Sequence, residues 1–185
     1  IDAPQLRARV VGGKFMDFAF PSESRATPLS QVSHIEAAAT LRKGPSFAKY
    51  AEMLERTKLA SPAVIDRVIS KEFASLLDGK DKDLDHLRHA VKRYFKKRVV
   101  DFLTEPSLSQ EASYRRMHDT LDGLHEADRG NLVEDWYFRR ERPDAKRHVP
   151  YEVNREADGA TEARREQRVA DGMEGKKAIE VKDVA

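Results

Sequence analysis

The stretch that decides the fold is "RVADGMEGKKAIEVKDVA", Arg168–Ala185. It contains the most strand-like alternation in the chain. In an extended segment successive side chains point to opposite faces, so Ala178, Glu180 and Lys182 share one face while Ile179 and Val181 take the other. A turn signal, "GMEGK", sits just upstream. With Glu174-Gly175 as its two central residues it predicts a hairpin that pairs Met173 with Lys176, Asp171 with Ala178 and Val169 with Glu180. Asp171 then stands diagonal to Glu180 on the same face, within reach of a common ion. A four-residue loop about the same centre keeps this arrangement, whereas a one-residue slip turns Asp171 away. One reading of these charges is the wet face of an edge strand, where charge discourages aggregation. The other is a site. Adjacent carboxylates repel unless a cation lies between them, and hard oxygen ligands of this kind suit Mg²⁺ or Mn²⁺. A lysine two residues on reaches the same cleft and can act on an attacking water or offset charge on a phosphate.

Working outward, "NREADGATEARREQR" just upstream has almost no large apolar residues and reads as an exposed loop, polar helix or mobile insertion. Before it, "RERPDAKRHVPYEVN" marks a change of character: Pro143 and Pro150 break helices, and Val149, Tyr151 and Val153 favour a short strand. The 28–140 region reads as helices joined by short links. The first carries Leu29, Val32, Ile35, Ala38, Ala39 and Leu41 and ends at Gly44-Pro45. The second runs from Phe47 to about Thr57 on Phe47, Tyr50, Ala51 and Leu54. Ser61-Pro62 supplies a cap and a proline at the first helical position for a third, with Val64, Ile65, Val68, Ile69, Phe73, Leu76 and Leu77 on its apolar face. A fourth carries Leu84, Leu87, Val91, Phe95, Val99 and Phe102, and two more are expected over about 109–125 and 129–140. The fold class predicted is mostly α: a helical bundle followed by a small, possibly incomplete, α/β unit. The domain division predicted is 1–27 extended, 28–128 helical and 129–185 α/β.

Composition bounds the rest. The chain has 185 residues, 39% hydrophobic and 36% charged, with a formal net charge of +2 and no cysteine. That length can bury a real core. No run approaches the roughly 20 apolar residues of a membrane span. The first residues, "IDAPQLRARVVGGKFMDF", lack a signal-peptide core. A balance of +2 is too small to argue for nucleic-acid binding alone, and without cysteine there is neither a disulfide scaffold nor a thiolate zinc site. The run "KRYFKKR" at Lys92–Arg98 offers Lys92, Arg93, Lys96 and Lys97 to a phosphate backbone, although Tyr94 and Phe95 there read better as core. His86 with His89, and His118 with His125, lack further ligands and read as wet helix faces. "VVGGKF" has no following Ser/Thr and reads as a turn, not a phosphate loop.

Taken together, "ADG…IEVK" resembles the PD-(D/E)xK, restriction-endonuclease-like nucleases, in the form of toxin domains of bacterial polymorphic effectors. There a helix carrying a glutamate in a "G-x-x-x-E" context precedes the strands, and "GNLVEDWY", with Gly130 and Glu134, fits it. The resemblance covers about Gly130–Ala185. It implies Asp171 and Glu180 as metal ligands for Mg²⁺ or Mn²⁺, Lys182 as the catalytic lysine, Glu134 as a supporting acid and Arg168 as a phosphate contact. Pro143-Asp144 offers a second candidate aspartate, but its 36 residues from Glu180 favour Asp171. Ala170 stands where the family usually has proline. Family members continue with a further helix and strand, so with Ala185 three residues past Lys182 the match is expected to be a truncated one. The function implied is a metal-dependent DNase toxin (RNA being the other substrate) of a secreted effector acting in the target-cell cytoplasm. A cognate acidic immunity protein and a secretion chaperone or adaptor are the partners implied. The competing expectation is a non-catalytic helical interaction module, or an inactive effector fragment, binding a protein partner.

Overall fold

A computed structural model describes residues 27–79, 81–155 and 164–182. The extended piece and the "VVGGKF" turn expected before residue 27 lie outside them. Six α-helices precede a three-stranded antiparallel sheet among these residues, so the chain is mostly α with a small α/β part at its C-terminal side, as the sequence predicts. Cα packing divides the chain into two compact units, Ile1–Lys97 and Arg98–Ala185. The division falls inside the helix Leu84–Leu103.

In the first unit a single 3-10 turn, Leu29–Gln31, precedes α1 (His34–Lys43). Periodicity alone runs this helix straight through from Leu29. Ser33 stops that: its Oγ accepts from the Glu36 N–H at 3.1 Å, while the Glu36 carboxylate accepts from the Ser33 N–H at 3.1 Å. This reciprocal capping box fixes the start and turns Ala37 and Leu41 inward, leaving Ile35 70% exposed. Helix α2 (Pro45–Arg56) buries Phe47, Tyr50, Ala51, Met53 and Leu54. Helix α3 (Pro62–Leu76) is capped by Ser61, with proline at the first position, and buries Ile65, Val68, Ile69 and Phe73. Helix α4 (Leu84–Leu103) begins in this unit and buries Leu87, Val91 and Phe95 there.

In the second unit the end of α4 contributes Val99, Val100 and Leu103. Helix α5 (Gln110–Leu121) is capped by Ser109, and Gly123, at φ +83°, lies in the turn that follows it. Helix α6 (Glu126–Glu141) buries Leu132, Val133, Trp136 and Phe138. Ser113, fully buried, ties three helices: its Oγ donates to the Leu103 carbonyl and accepts from Trp136 Nε1 at 2.9 Å. A buried indole N–H needs such a partner.

After α6 come β1 (Lys146–Arg155), β2 (Arg164–Glu174) and β3 (Lys177–Ile179), in the order β1-β2-β3. Strands β1 and β2 pair from Lys146↔Met173 to Arg155↔Arg164. Both therefore extend into the polar stretch read from sequence as an exposed loop, polar helix or mobile insertion. A polar ladder replaces apolar alternation there: Gln167 Nε2 donates to Glu152 Oε2 at 3.0 Å across the pair Glu152↔Gln167. One face of the sheet leans on α6. Arg147, Val149 and Tyr151 on β1 are half-buried and Ala170 and Gly172 on β2 buried, while Lys146, His148, Pro150 and Glu152 are exposed.

Candidate metal and phosphate site

The hairpin β2–β3 exists, with its turn one residue further on and its pairing shifted by two residues from the expected one. Gly172 pairs with Ile179, Met173 with Ala178 and Glu174 with Lys177, which makes Gly175-Lys176 the turn in place of Glu174-Gly175. The reason is local. Gly175 takes φ +60°, and a two-residue hairpin loop with a left-handed φ at its first central position favours glycine there. The correction changes the geometry without moving Asp171 off its face. The last pair is Gly172↔Ile179, and Glu180 follows just past the end of β3.

The two residues are interlocked. Asp171 Oδ2 accepts from the Val181 N–H at 2.8 Å, and Glu180 Oε2 accepts from the Asp171 N–H at the longer distance of 3.4 Å. Each carboxylate thus spends one oxygen on the other segment's main chain, and its second oxygen has no protein partner among the described residues. Two neighbouring carboxylates with an oxygen each to spare are a suitable donor set for a hard divalent cation, which fills its remaining positions with water and substrate oxygens. Among the described residues no group of three or more His, Asp or Glu side chains gathers around one point. Lys182, two residues past Glu180, is exposed and makes no ion pair among the described residues. Strand alternation puts Val169, 59% exposed, and Met173 on the same side of β2 as Asp171. Arg168 falls on the other side, level with Tyr151. The alternative aspartate, Asp144, is exposed in the turn between α6 and β1.

Glu134 is reached from a different direction. Arg147 Nη2 donates to Glu134 Oε1 at 2.7 Å and to Asp135 Oδ1 at 2.9 Å, and its Nε donates to the Asp171 carbonyl at 3.2 Å. Its guanidinium carbon lies 4.3 Å from the centre of the Phe138 ring. Burial works to lower the Arg147 pKa, but the Glu134 and Asp135 carboxylates outweigh it and hold the group above its ordinary value. His148, at φ +53°, brings Nε2 to 3.6 Å from the same Glu134 oxygen. Glu134 is therefore bonded to a cation, Arg147, which links it to the Asp171 carbonyl. Phe138 fixes the remaining approach, because Gly172 leaves room for its ring: a Cβ at Gly172 would fall 2.2 Å from Phe138 Cε1.

Arg147, Asp135, Phe138 and Gly172 were not singled out from sequence. One signal was available: the alternation of Val149, Tyr151 and Val153, run back one step, puts an arginine on the inward face. Lys92, Arg93, Lys96 and Lys97 lie on α4 in the other unit. There Lys92 Nζ donates to Ser46 Oγ at 2.7 Å and stands 5.7 Å from the Tyr50 ring centre, so at least this lysine turns towards its own helices.

No protein-family model, curated protein or solved structure matches this chain. No described helix is long and apolar enough to cross a membrane.

Proposed function

We propose that the chain carries the divalent-metal site of a phosphodiesterase that hydrolyses nucleic acid, most simply a DNase. The observation that supports this most is the interlocked pair Asp171–Glu180 at the open end of the β2–β3 hairpin, each with an oxygen to spare and with Lys182 two residues on. The chain order of a glutamate-bearing helix followed by three antiparallel strands adds to it, being the order of the nucleases it resembles.

In this reading Asp171 and Glu180 hold Mg²⁺ or Mn²⁺, and the metal when bound supplies Lewis acidity towards a phosphate oxygen. Lys182 donates to, or orients, the attacking water and offsets charge on the phosphate. The main-chain bonds from Val181 and Asp171 hold both carboxylates in place before substrate arrives, so little reorganisation is left for the reaction. Glu134 acts at a distance through Arg147. Arg168 would meet a substrate phosphate, and Arg93, Lys96 and Lys97 on α4 offer further phosphate contacts, Lys92 being turned to Ser46 and Tyr50. Assignment to a secreted bacterial effector, with an acidic immunity protein capping the site and the target-cell cytoplasm as its place of action, rests on the family resemblance alone.

The test is nicking of supercoiled plasmid by the purified chain with Mg²⁺ or Mn²⁺, with EDTA as control, beside Glu180→Ala and Lys182→Ala proteins checked for folding. Cleavage stopped by EDTA and lowered about 10²–10⁴-fold by Lys182→Ala is expected. Cleavage indifferent to both substitutions, or none at all by the folded chain, rejects the reading for this chain and leaves a helical module that binds a protein partner.

A further inference from the structure

We infer that Arg147 is the positioning residue of the Asp171–Glu180 pair, an inference that rests on the phosphodiesterase reading above. Its guanidinium is the point where three parts of the unit meet. Its Nη2 donates to both Glu134 and Asp135 on α6, its Nε donates to the Asp171 carbonyl on β2, and the guanidinium lies over the Phe138 ring. The arginine side chain is 28% exposed, and Glu134 and Asp135 are 20% and 19% exposed. Charge-assisted bonds this shielded hold their geometry better than surface pairs. Fixing the Asp171 carbonyl fixes the orientation of that residue's backbone. With it goes the direction in which the carboxylate leaves the strand towards Val181 and Glu180.

The same network assigns a role to Glu134 other than metal ligand. With Asp135 it anchors the guanidinium from behind. Lysine cannot substitute, because a single ammonium group cannot span the Asp171 carbonyl and both carboxylates as the planar fork does.

Arg147→Met, Arg147→Lys and Glu134→Gln in the full chain test this with two independent readouts. The first is amide hydrogen exchange of Val181, whose acceptor is the Asp171 carboxylate, against the Glu36 and Val64 amides, held by the Ser33 and Ser61 caps in the other unit. The second is steady-state cleavage of a fluorogenic DNA oligonucleotide with Mn²⁺. Both Arg147 variants should speed Val181 exchange about tenfold with the control amides unchanged. They should lower kcat about 10–100-fold, the loss typical of a supporting residue behind a metal ligand, and leave KM within about twofold. Glu134→Gln keeps an acceptor and should fall between them and the unaltered protein. Val181 exchange unchanged in Arg147→Lys and Arg147→Met, or raised equally over all of β1 and β2, overturns positioning in favour of simple helix-to-sheet attachment. Should Arg147→Met not fold, Arg147→Lys decides by the same exchange readout. A parent chain that cuts nothing removes the phosphodiesterase reading, and the Val181 amide still decides whether Arg147 fixes Asp171.

Discussion

Gly172 and Asp171 are neighbours with opposite duties. Gly172 faces α6, and the space a methyl group would need is held by Phe138 Cε1 and Cζ, 2.2 and 2.4 Å from an ideal Cβ. Gly172→Ala should therefore cost about 1–3 kcal/mol, as overpacking does. Urea unfolding should recover part of that loss when Phe138→Leu is added. Asp171 faces away, and its carboxylate holds the Val181 amide. Asparagine can still accept that bond but carries no charge. Asp171→Asn should keep stability within about 0.5 kcal/mol, the range of substitutions that break no structural feature, while titration with Mn²⁺ followed calorimetrically loses the binding event. Equal loss of stability in the asparagine protein would make the charge structural, not ligand-binding.

The helices depend on their first turns. Ser33, Ser61 and Ser109 each accept from a main-chain N–H three residues on, and Ser61→Ala should cost about 1 kcal/mol, measured by thermal unfolding. The start of α4 uses a different device. Asp83 Oδ1 accepts from the His86 N–H at 3.0 Å and lies 2.8 Å from His86 Nδ1, while Leu29 N donates to the Lys82 carbonyl at 2.9 Å. Partial burial works to raise the Asp83 pKa, but the bonds from His86 outweigh it and hold it below the ordinary aspartate value. A lowered folded pKa means the unfolded chain takes up the proton first. The contribution of Asp83 is therefore complete above its unfolded pKa of about 3.9 and disappears as pH falls through the lower folded value. Asp83→Asn should flatten the acid limb of a stability–pH curve over that window. An unaltered acid limb would place the sensitivity elsewhere.

At the scale of the whole molecule the chain is two packed units whose division lies within a continuous helix. A formal net charge of +2 over 185 residues gives a polyanion little long-range attraction. In EDTA, binding to a short DNA duplex at physiological salt should fall in the non-specific range, with Kd of about 10⁻⁴–10⁻⁶ M. If the basic run on α4 meets the phosphate backbone, Arg93→Gln combined with Lys97→Gln should reduce the slope of log K against log salt by about 1.8, or roughly 0.9 for each phosphate no longer neutralised. A slope that does not move takes the run off the substrate's path.

What the sequence determined by itself is local. Ser-Pro at 61–62, Gly44-Pro45 and the stripe Leu87, Val91, Phe95 and Val99 reveal helices because caps, breakers and a 3.6-residue period act within a few residues of chain. The helix-to-hairpin order was legible for the same reason: alternation needs only a turn to fold it back. The start of α1 was misread because Ile35 sits in the right period for a stripe that the Ser33–Glu36 box then rotates away from the core. The turn of the hairpin was misplaced by one residue because two glycine positions satisfy a turn signal and only one gives the left-handed φ where this loop requires it. The tertiary structure alone decided the Arg147 network and the Phe138–Gly172 contact. Arg147 stands 13 and 12 residues from its two carboxylates, and Phe138 stands 34 from Gly172. No periodicity links residues at those separations, and each bond is chosen by how closely α6 can approach the sheet.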